Sequence, residues 1–451
     1  MHSPTSLGPR AGTFNAVTAV SVLLLTAVLL LRLYAAWNCV PVCIWDDSMH
    51  REQATDCPFS LPQIVRRIML PTTENRIRDK TMGYYLWLVM GSRLFGGFGT
   101  PPNTHGCSIS TTERAWQLTN VLLLLIQLLC VYGVARWASQ DRDLSLAVTT
   151  LYLMCPIVFG MNRWVLTENH VMAALWMAIA MTVLLTTARR TVVPLAAAVG
   201  IGMFSSAREY ALPLLIVLAL AGSAALLRDR RYTPALGFFL ITASYLTCAV
   251  IAAAPAFQLA RQKLFQVEGQ KQFWNPFPAW LAHMFMESWG PSLTVVLLAG
   301  SVWVTVRYTK ATRASQARRD GLVLLWASLG LLGLATMAGA YATIQRLVRP
   351  SIPPFIFCFA FVLVGLRVTA APVAAVRRRL SALMLCALVG SAALLAYHLF
   401  VRFDRGQSYK PHAAFMEYYD HPLWIRPLTS RYDRHYYSES EAARVNAEHD
   451  R

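Results

Sequence analysis

Residues 16–37 read AVTAVSVLLLTAVLLLRLYAAW, an apolar run that only Arg32 interrupts with a charge. About 20 apolar residues in a helix cross the hydrocarbon core of a bilayer, so this run predicts a transmembrane helix. The run is too long for the apolar part of a cleaved signal peptide, and Arg32 also argues against one. We therefore expect residues 16–37 to remain in the mature protein as its first membrane span.

Similar blocks recur through most of the 451 residues, of which 56% are hydrophobic and 14% charged. Blocks of this length predict an all-α polytopic membrane protein with about 11 transmembrane helices. The predicted spans are Ala16–Trp37, Ala115–Ala135, Leu144–Met161, His170–Ala188, Val192–Ser205, Tyr210–Leu227, Thr233–Ala254, Gly290–Val306, Gly321–Thr343, Ile352–Leu366 and Leu380–Val401.

The net charge of +18 is concentrated in every second loop between these spans. Such alternation follows the positive-inside rule, which predicts a cytoplasmic N-terminus and an extracytoplasmic C-terminus. It also indicates that the basic residues set membrane topology and do not bind nucleic acid. The arginines concerned are Arg136 and Arg142, Arg189 and Arg190, Arg228, Arg230 and Arg231, those within 307–319, and Arg377, Arg378 and Arg379.

On this topology a membrane module covers residues 1–401, and residues 402–451 form a short extracytoplasmic tail. Residues 38–114 form the first outer loop and residues 255–289 the second. Gly83–Phe98 in the first loop is apolar but short for a span, so we expect an interfacial helix there. Four cysteines of this loop could form disulfides in an oxidising compartment, with the pairing left open. They are Cys39, Cys43, Cys57 and Cys107.

An acidic pair, Asp46 and Asp47, opens the polar part of the first outer loop. Carboxylates at a membrane boundary are costly because desolvation penalises their charge and each raises the pKa of the other. A general base that serves a lipid-borne substrate is one reason to keep such a pair there. The alternative is the solvated start of a loop.

The segment Asp46-Asp47-x-x-His50-x-x-x-Ala54 resembles a motif of the GT-C glycosyltransferases, which use polyprenyl-phosphate sugars. Protein O-mannosyltransferases and bacterial aminoarabinose transferases are members. Family members begin their first outer loop with Asp-Glu-x-x-Tyr-x-x-x-Ala. This chain has aspartate in place of glutamate, which keeps the charge, and histidine in place of tyrosine. His50 is either a partner of Asp46 or a surface residue.

Three further segments resemble the family in the same order along the chain. Asp79-Lys80-Thr81-Met82-Gly83-Tyr84-Tyr85 is similar to Glu-Lys-Pro-Pro-x-Tyr-Tyr without its prolines. Arg163 and Glu168 are similar to an Arg-x4-Asp turn, and the segment from Gln345 to Pro353 resembles a late Arg-Tyr-x-x-Pro-x-x-Pro turn. Each motif alone is weak. Their shared order, entirely in predicted outer segments, makes the resemblance more specific.

The resemblance implies sugar transfer from a polyprenyl phosphate to an extracytoplasmic lipid, glycan or protein, with inversion. Asp46 would be the base. Asp47 would orient it or cap a helix that begins at Ser48. Cations would bind the donor phosphate, although an outer arginine can equally anchor to lipid headgroups. The implied donor-binding residues are Lys80, Tyr84, Tyr85, Arg163, Glu168, Arg208, Arg346 and Arg349.

Some relatives also hold a divalent metal, for which the matching residues here are Asp79 and His283. The resemblance does not make this metal a requirement. A bacterial plasma membrane is the expected location, with membrane lipid, the sugar donor and the acceptor as partners. Two rival interpretations are a lipid-linked-sugar flippase or other transporter, and an inactive scaffold of the same fold. A transporter would favour ionisable residues near the membrane midplane and inverted repeats.

Overall fold

The computed structural model describes residues 12–38, 83–96, 111–162, 167–187, 290–310, 352–369 and 373–397, with Leu236, Leu240 and Ala243. Every element of regular structure in these ranges is a helix, which confirms the all-α prediction for them. The helices are α1 Gly12–Asn38, α2 Gly83–Phe95, α3 Thr111–Ser139, α4 Arg142–Met154, α5 Pro156–Met161, α6 Thr167–Thr187, α7 Pro291–Lys310, α8 Ile352–Thr369 and α9 Val373–Tyr397.

Each predicted apolar block that the structure describes in full or in large part is helical, although one of them is divided into two helices. Helices α1 and α3 are long and apolar enough to cross a membrane, and α6, α7, α8 and α9 contain shorter apolar stretches. The described part of the chain is thus all-α, as expected for a polytopic membrane protein. The blocks 192–205, 210–227 and 321–343, and nearly all of 233–254, lie outside the described residues, so the total of eleven spans stays a prediction.

The predicted span Leu144–Met161 differs from the structure, which divides it into α4 and α5 at Cys155. Pro156 has no backbone N–H, and its ring disfavours helical geometry in the preceding residue. Cys155 accordingly has extended backbone angles, φ −62° and ψ 128°. Its carbonyl then accepts hydrogen bonds from the backbone N–H groups of Val158 and Phe159, which starts the new helix.

Helix α3 is the centre of the described bundle, because it packs against α1, α2, α4, α6 and α8. The core beside it is aromatic. Tyr152 of α4 meets Trp176 of α6 edge-on, with ring centroids 5.5 Å apart, and stacks on Phe355 of α8 at 5.8 Å. All three side chains are buried. This core holds together helices that are far apart in sequence.

Contacts at the two ends of the bundle give the relative directions of the helices. Thr150 donates a hydrogen bond to the Ser21 carbonyl, and Arg32 contacts Asn162, so α1 runs parallel to α4 and α5. At the opposite end, the Arg367 guanidinium lies 6.0 Å from the centre of the Trp137 ring, so α8 runs parallel to α3. These directions match the predicted alternation. Which end faces the cytoplasm stays a prediction.

Helix α2, within the predicted interfacial segment Gly83–Phe98, lies against the first turns of α3. The indole of Trp116 donates to the Ser92 hydroxyl at 2.8 Å, and the indole of Trp87 donates to the Thr119 carbonyl at 3.3 Å. Leu94 on the other side of α2 is exposed. The helix is followed by Gly96, whose φ of +72° suits a glycine that ends a helix.

Candidate functional site

A group of buried polar side chains lies at the end of the bundle where α1 and α5 end and α3 begins. We call it the Arg32 cluster, and its members are Arg32, Gln117, Asn120 and Asn162. Each is at most 2% exposed. Arg32 is six residues before the end of α1, which places it about 9 Å along the helix axis from that end.

The Arg32 guanidinium links α1 to two other parts of the bundle. Its Nε donates to Asn162 Oδ1 at 2.8 Å, and its Nη2 donates to the Asn162 carbonyl at 2.6 Å. The same Nη2 donates to Gln117 Oε1 at 3.2 Å. The planar guanidinium suits this fork, because two of its nitrogens can reach both oxygens of one residue.

Asn162 is held on both sides of its amide group. Its Nδ2 donates to the Asn120 carbonyl of α3 at 2.7 Å, while its Oδ1 accepts from Arg32 of α1. Its own N–H donates to the Val158 carbonyl, which completes the last turn of α5. The exit from α5 is therefore fixed to two neighbouring helices.

The acceptors that face Arg32 here are neutral amide oxygens. A buried arginine is costly, and such hydrogen bonds to a charged group offset part of that cost, at about 1.5–3 kcal/mol each. The geometry fixes the guanidinium in one orientation. Two of its three nitrogens, Nε and Nη2, are engaged with Asn162 and Gln117, and these contacts position the chain at the end of α5.

A second set of buried polar contacts continues from this end into the bundle. Asn169 and His170 lie in the first turn of α6, and both side chains are fully buried. Gln127 Nε2 lies 3.4 Å from the Asn169 carbonyl, and the Tyr152 hydroxyl donates to Gln127 Oε1 at 2.6 Å. These contacts join α3, α4 and α6 at a point further into the bundle than the Arg32 cluster, because Gln127 lies ten residues beyond Gln117 along α3.

The last turn of α1 is capped by Arg114, at the start of the following span in the described bundle. Arg114 Nε donates to the Trp37 carbonyl at 3.1 Å, and its guanidinium lies 5.2 Å from the centre of the Trp37 ring. Trp37 is half-exposed. A cation over an exposed tryptophan suits a membrane interface, where aromatic residues are enriched.

Most of the predicted site residues lie outside the described ranges: Asp46, Asp47, Asp79, Lys80, Arg163, Arg208, His283, Arg346 and Arg349. The backbone places Tyr84 and Tyr85 in the first turn of α2, and Glu168 in the first turn of α6. Asp46 follows the end of α1 by eight residues, and Arg163 directly follows Asn162. Within the described ranges, no group of three or more His, Cys, Asp or Glu side chains is placed to hold a metal.

The Arg32 cluster was not predicted as part of a site. Arg32 served only as an argument against a signal peptide, although an ionisable residue within a span is itself a signal of function. Gln117 and Asn120, one helical turn apart in an apolar block, were a second signal. Asn162 was distinguished in the sequence only by its position directly after the predicted span Leu144–Met161.

No protein-family model and no curated protein sequence matches this chain. Among solved structures, it is similar to ArnT from Cupriavidus metallidurans. The apo crystal structure is 14% identical, with 90% of this chain and 84% of that chain covered and a TM-score of 0.36. The structure bound to undecaprenyl phosphate is 13% identical, with 95% and 87% covered and a TM-score of 0.38. TM-scores of this size do not establish a shared fold, so function is argued below from the residues of the chain.

Proposed function

We propose that this protein is a GT-C-type membrane glycosyltransferase that transfers a hexose or pentose from a polyprenyl phosphate to an extracytoplasmic acceptor, with inversion. The observation that carries this proposal is the segment Asp46-Asp47-x-x-His50-x-x-x-Ala54, placed eight residues beyond the end of α1. On the predicted topology this segment would bring a carboxylate pair close to the membrane boundary, where a lipid-linked sugar would present its anomeric carbon.

In this mechanism Asp46 accepts the proton of the acceptor hydroxyl as its oxygen attacks the anomeric carbon. The bond between that carbon and the phosphate oxygen breaks, and polyprenyl phosphate leaves. Lys80, Arg346 and Arg349 would stabilise the negative charge of the leaving phosphate. Arg163 and Arg208 would assist them, while Tyr84, Tyr85 and Glu168 would contact the sugar or the acceptor. A divalent metal at Asp79 and His283 would serve the same phosphate.

The arrangement of the described helices supports this proposal. The end of α1, which leads to Asp46, and the end of α5, which leads to Arg163, lie at one end of the bundle because Arg32 joins them. Asn169, in the first turn of α6, contacts Gln127 near the middle of α3, so this contact does not place the start of α6 at the same end. Two segments that carry candidate residues therefore leave the described bundle on one side.

The alternative is a flippase or another transporter of lipid-linked sugars. Such proteins hold ionisable residues near the membrane midplane. Among the described residues, the buried Arg32 lies about 9 Å from the end of α1 instead. His170 is also buried, next to Asn169, whose carbonyl contacts Gln127 near the middle of α3, so His170 is a described feature that a transporter would share.

Purified protein in nanodiscs should be incubated with a panel of polyprenyl-phosphate sugars and candidate acceptors, and release of polyprenyl phosphate measured. The enzyme should release lipid phosphate in step with product, and Asp46→Asn should abolish most of this release. In sealed vesicles, translocation of the lipid-linked sugar without lipid-phosphate release would replace the enzyme with the transporter.

A further inference from the structure

We propose that Arg32 is a positioning residue of the sugar-transfer site, acting by holding the exit of α5 against α1 and α3. This inference rests on the proposed function, since it assigns Arg32 a part in that reaction. It does not place Arg32 in contact with the substrate. Its action passes through Asn162, the last described residue before Arg163.

The first step is that Arg32 holds both the backbone carbonyl and the side-chain oxygen of one residue, Asn162. Two guanidinium nitrogens hold the Asn162 carbonyl and its Oδ1, at 2.6 Å and 2.8 Å. Contacts to the carbonyl and to the side chain together restrict both the position and the rotation of this residue. A single donor would restrict only its position.

The second step is that this restraint acts at a weak point of the span. Helix α5 contains only six residues and is separated from α4 by the break at Cys155 and Pro156. The broken backbone cannot transmit the rigidity of α4 to Asn162 through a continuous ladder of hydrogen bonds. The hydrogen bonds of Asn162 with Arg32 of α1 and Asn120 of α3 therefore hold the end of the span in place.

The third step is that Asn162 joins two helices at the end from which candidate residues follow. Its Nδ2 donates to Asn120 of α3, and Arg32 also reaches Gln117 of α3. Arg163 is the next residue, and Glu168 follows it in the first turn of α6. Loss of Arg32 would therefore loosen the exit of α5 relative to α1, the helix that leads to Asp46.

Arg32→Met keeps a long apolar side chain but removes every donor, and Asn162→Ala removes the amide on the opposite side. We expect each to lower kcat by about tenfold or more with donor KM changed less than about threefold, because misplaced groups lose rate more than binding. Arg32→Lys, which keeps the charge but lacks the fork, should lose less. The double variant should lose no more than Arg32→Met, because both act through one contact.

Thr150→Val is the matched control, since it keeps the size of a buried side chain and removes its hydrogen bond to the Ser21 carbonyl of α1, away from Asn162 and from α6. Hydrogen exchange of peptides covering residues 162–170 gives a readout that does not depend on activity. Arg32→Met should accelerate exchange there. Thr150→Val should leave exchange and kcat unchanged, even if it lowers the melting temperature as much as Arg32→Met does.

The inference is overturned if Arg32→Met, at equal loss of melting temperature, matches Thr150→Val in kcat and in exchange of residues 162–170. If Arg32→Met does not fold, Arg32→Lys and Asn162→Ala decide by the same two measurements. If the wild-type protein transfers sugar from no polyprenyl-phosphate donor, the proposed function fails. The exchange comparison still decides whether Arg32 positions the exit of α5.

Discussion

Arg32 and Asn162 are 130 residues apart in sequence, yet two guanidinium nitrogens of Arg32 bind both oxygens of Asn162. This contact joins the end of the first span to the end of the predicted third span. Arg32 therefore helps to fix the position of this end of the bundle, where the third span ends in a helix of only six residues. The same contact brings buried polar side chains to the end of the bundle where α1 and α5 end. The chain continues from these two helices to Asp46 and Arg163.

We first predict that Gly91→Ala destabilises the protein, because a Cβ at Gly91 would overlap the Thr119 side chain of α3. Helix α2 would have to move away, at a cost of about 1–3 kcal/mol in the free energy of unfolding. Gly133→Ala in α3 is the control, since no atom lies within 4 Å of a Cβ there. Thermal unfolding in detergent should show a lower midpoint for Gly91→Ala only. Equal midpoints would contradict the close packing of α2 on α3.

The second prediction concerns Asp46 as the catalytic base. Asp46→Asn keeps the size of the side chain but cannot accept the acceptor's proton, so turnover should fall by about 10²–10⁴-fold. The melting temperature should remain within a few degrees of the wild-type value. Steady-state release of polyprenyl phosphate measures the effect. A folded Asp46→Asn variant with near-normal turnover would remove Asp46 from this role.

Sequence patterns predicted the helical fold well and the buried polar contacts poorly. Apolar blocks located α1, α3 and α6 to within a few residues, because the bilayer imposes a minimum length on each span. Treating residues 144–161 as one apolar block missed the break at Cys155, although Pro156 indicates such a break. Nothing in a single sequence states which face of α3 carries Gln117, so its contact with Arg32, 85 residues away, could not be predicted.

The third prediction separates arginines that bind donor phosphate from those that set topology. Arg346 lies in a predicted outer turn and Arg378 in a predicted inner cluster. Arg346→Ala should weaken binding of polyprenyl phosphate by about tenfold, since it removes a charge-assisted contact of about 1.5 kcal/mol. Arg378→Ala should leave the Kd unchanged. Equal effects of the two substitutions on the Kd would defeat the distinction.

The last prediction is that Asp46 and Lys80 belong to one site in the first outer loop. They are 34 residues apart in the chain, too far for one rigid helix to join them, yet the proposed reaction needs both beside one sugar phosphate. The prediction therefore requires the loop to fold back on itself. Disulfides among its four cysteines would stabilise this fold by about 2–4 kcal/mol each. Carbodiimide coupling of carboxylates to amines, followed by mass spectrometry, should join the peptides that carry Asp46 and Lys80. Lys80→Arg should abolish this product, because arginine does not couple. An experimental structure with these two side chains more than about 15 Å apart would refute the shared site, since one sugar phosphate could not contact both.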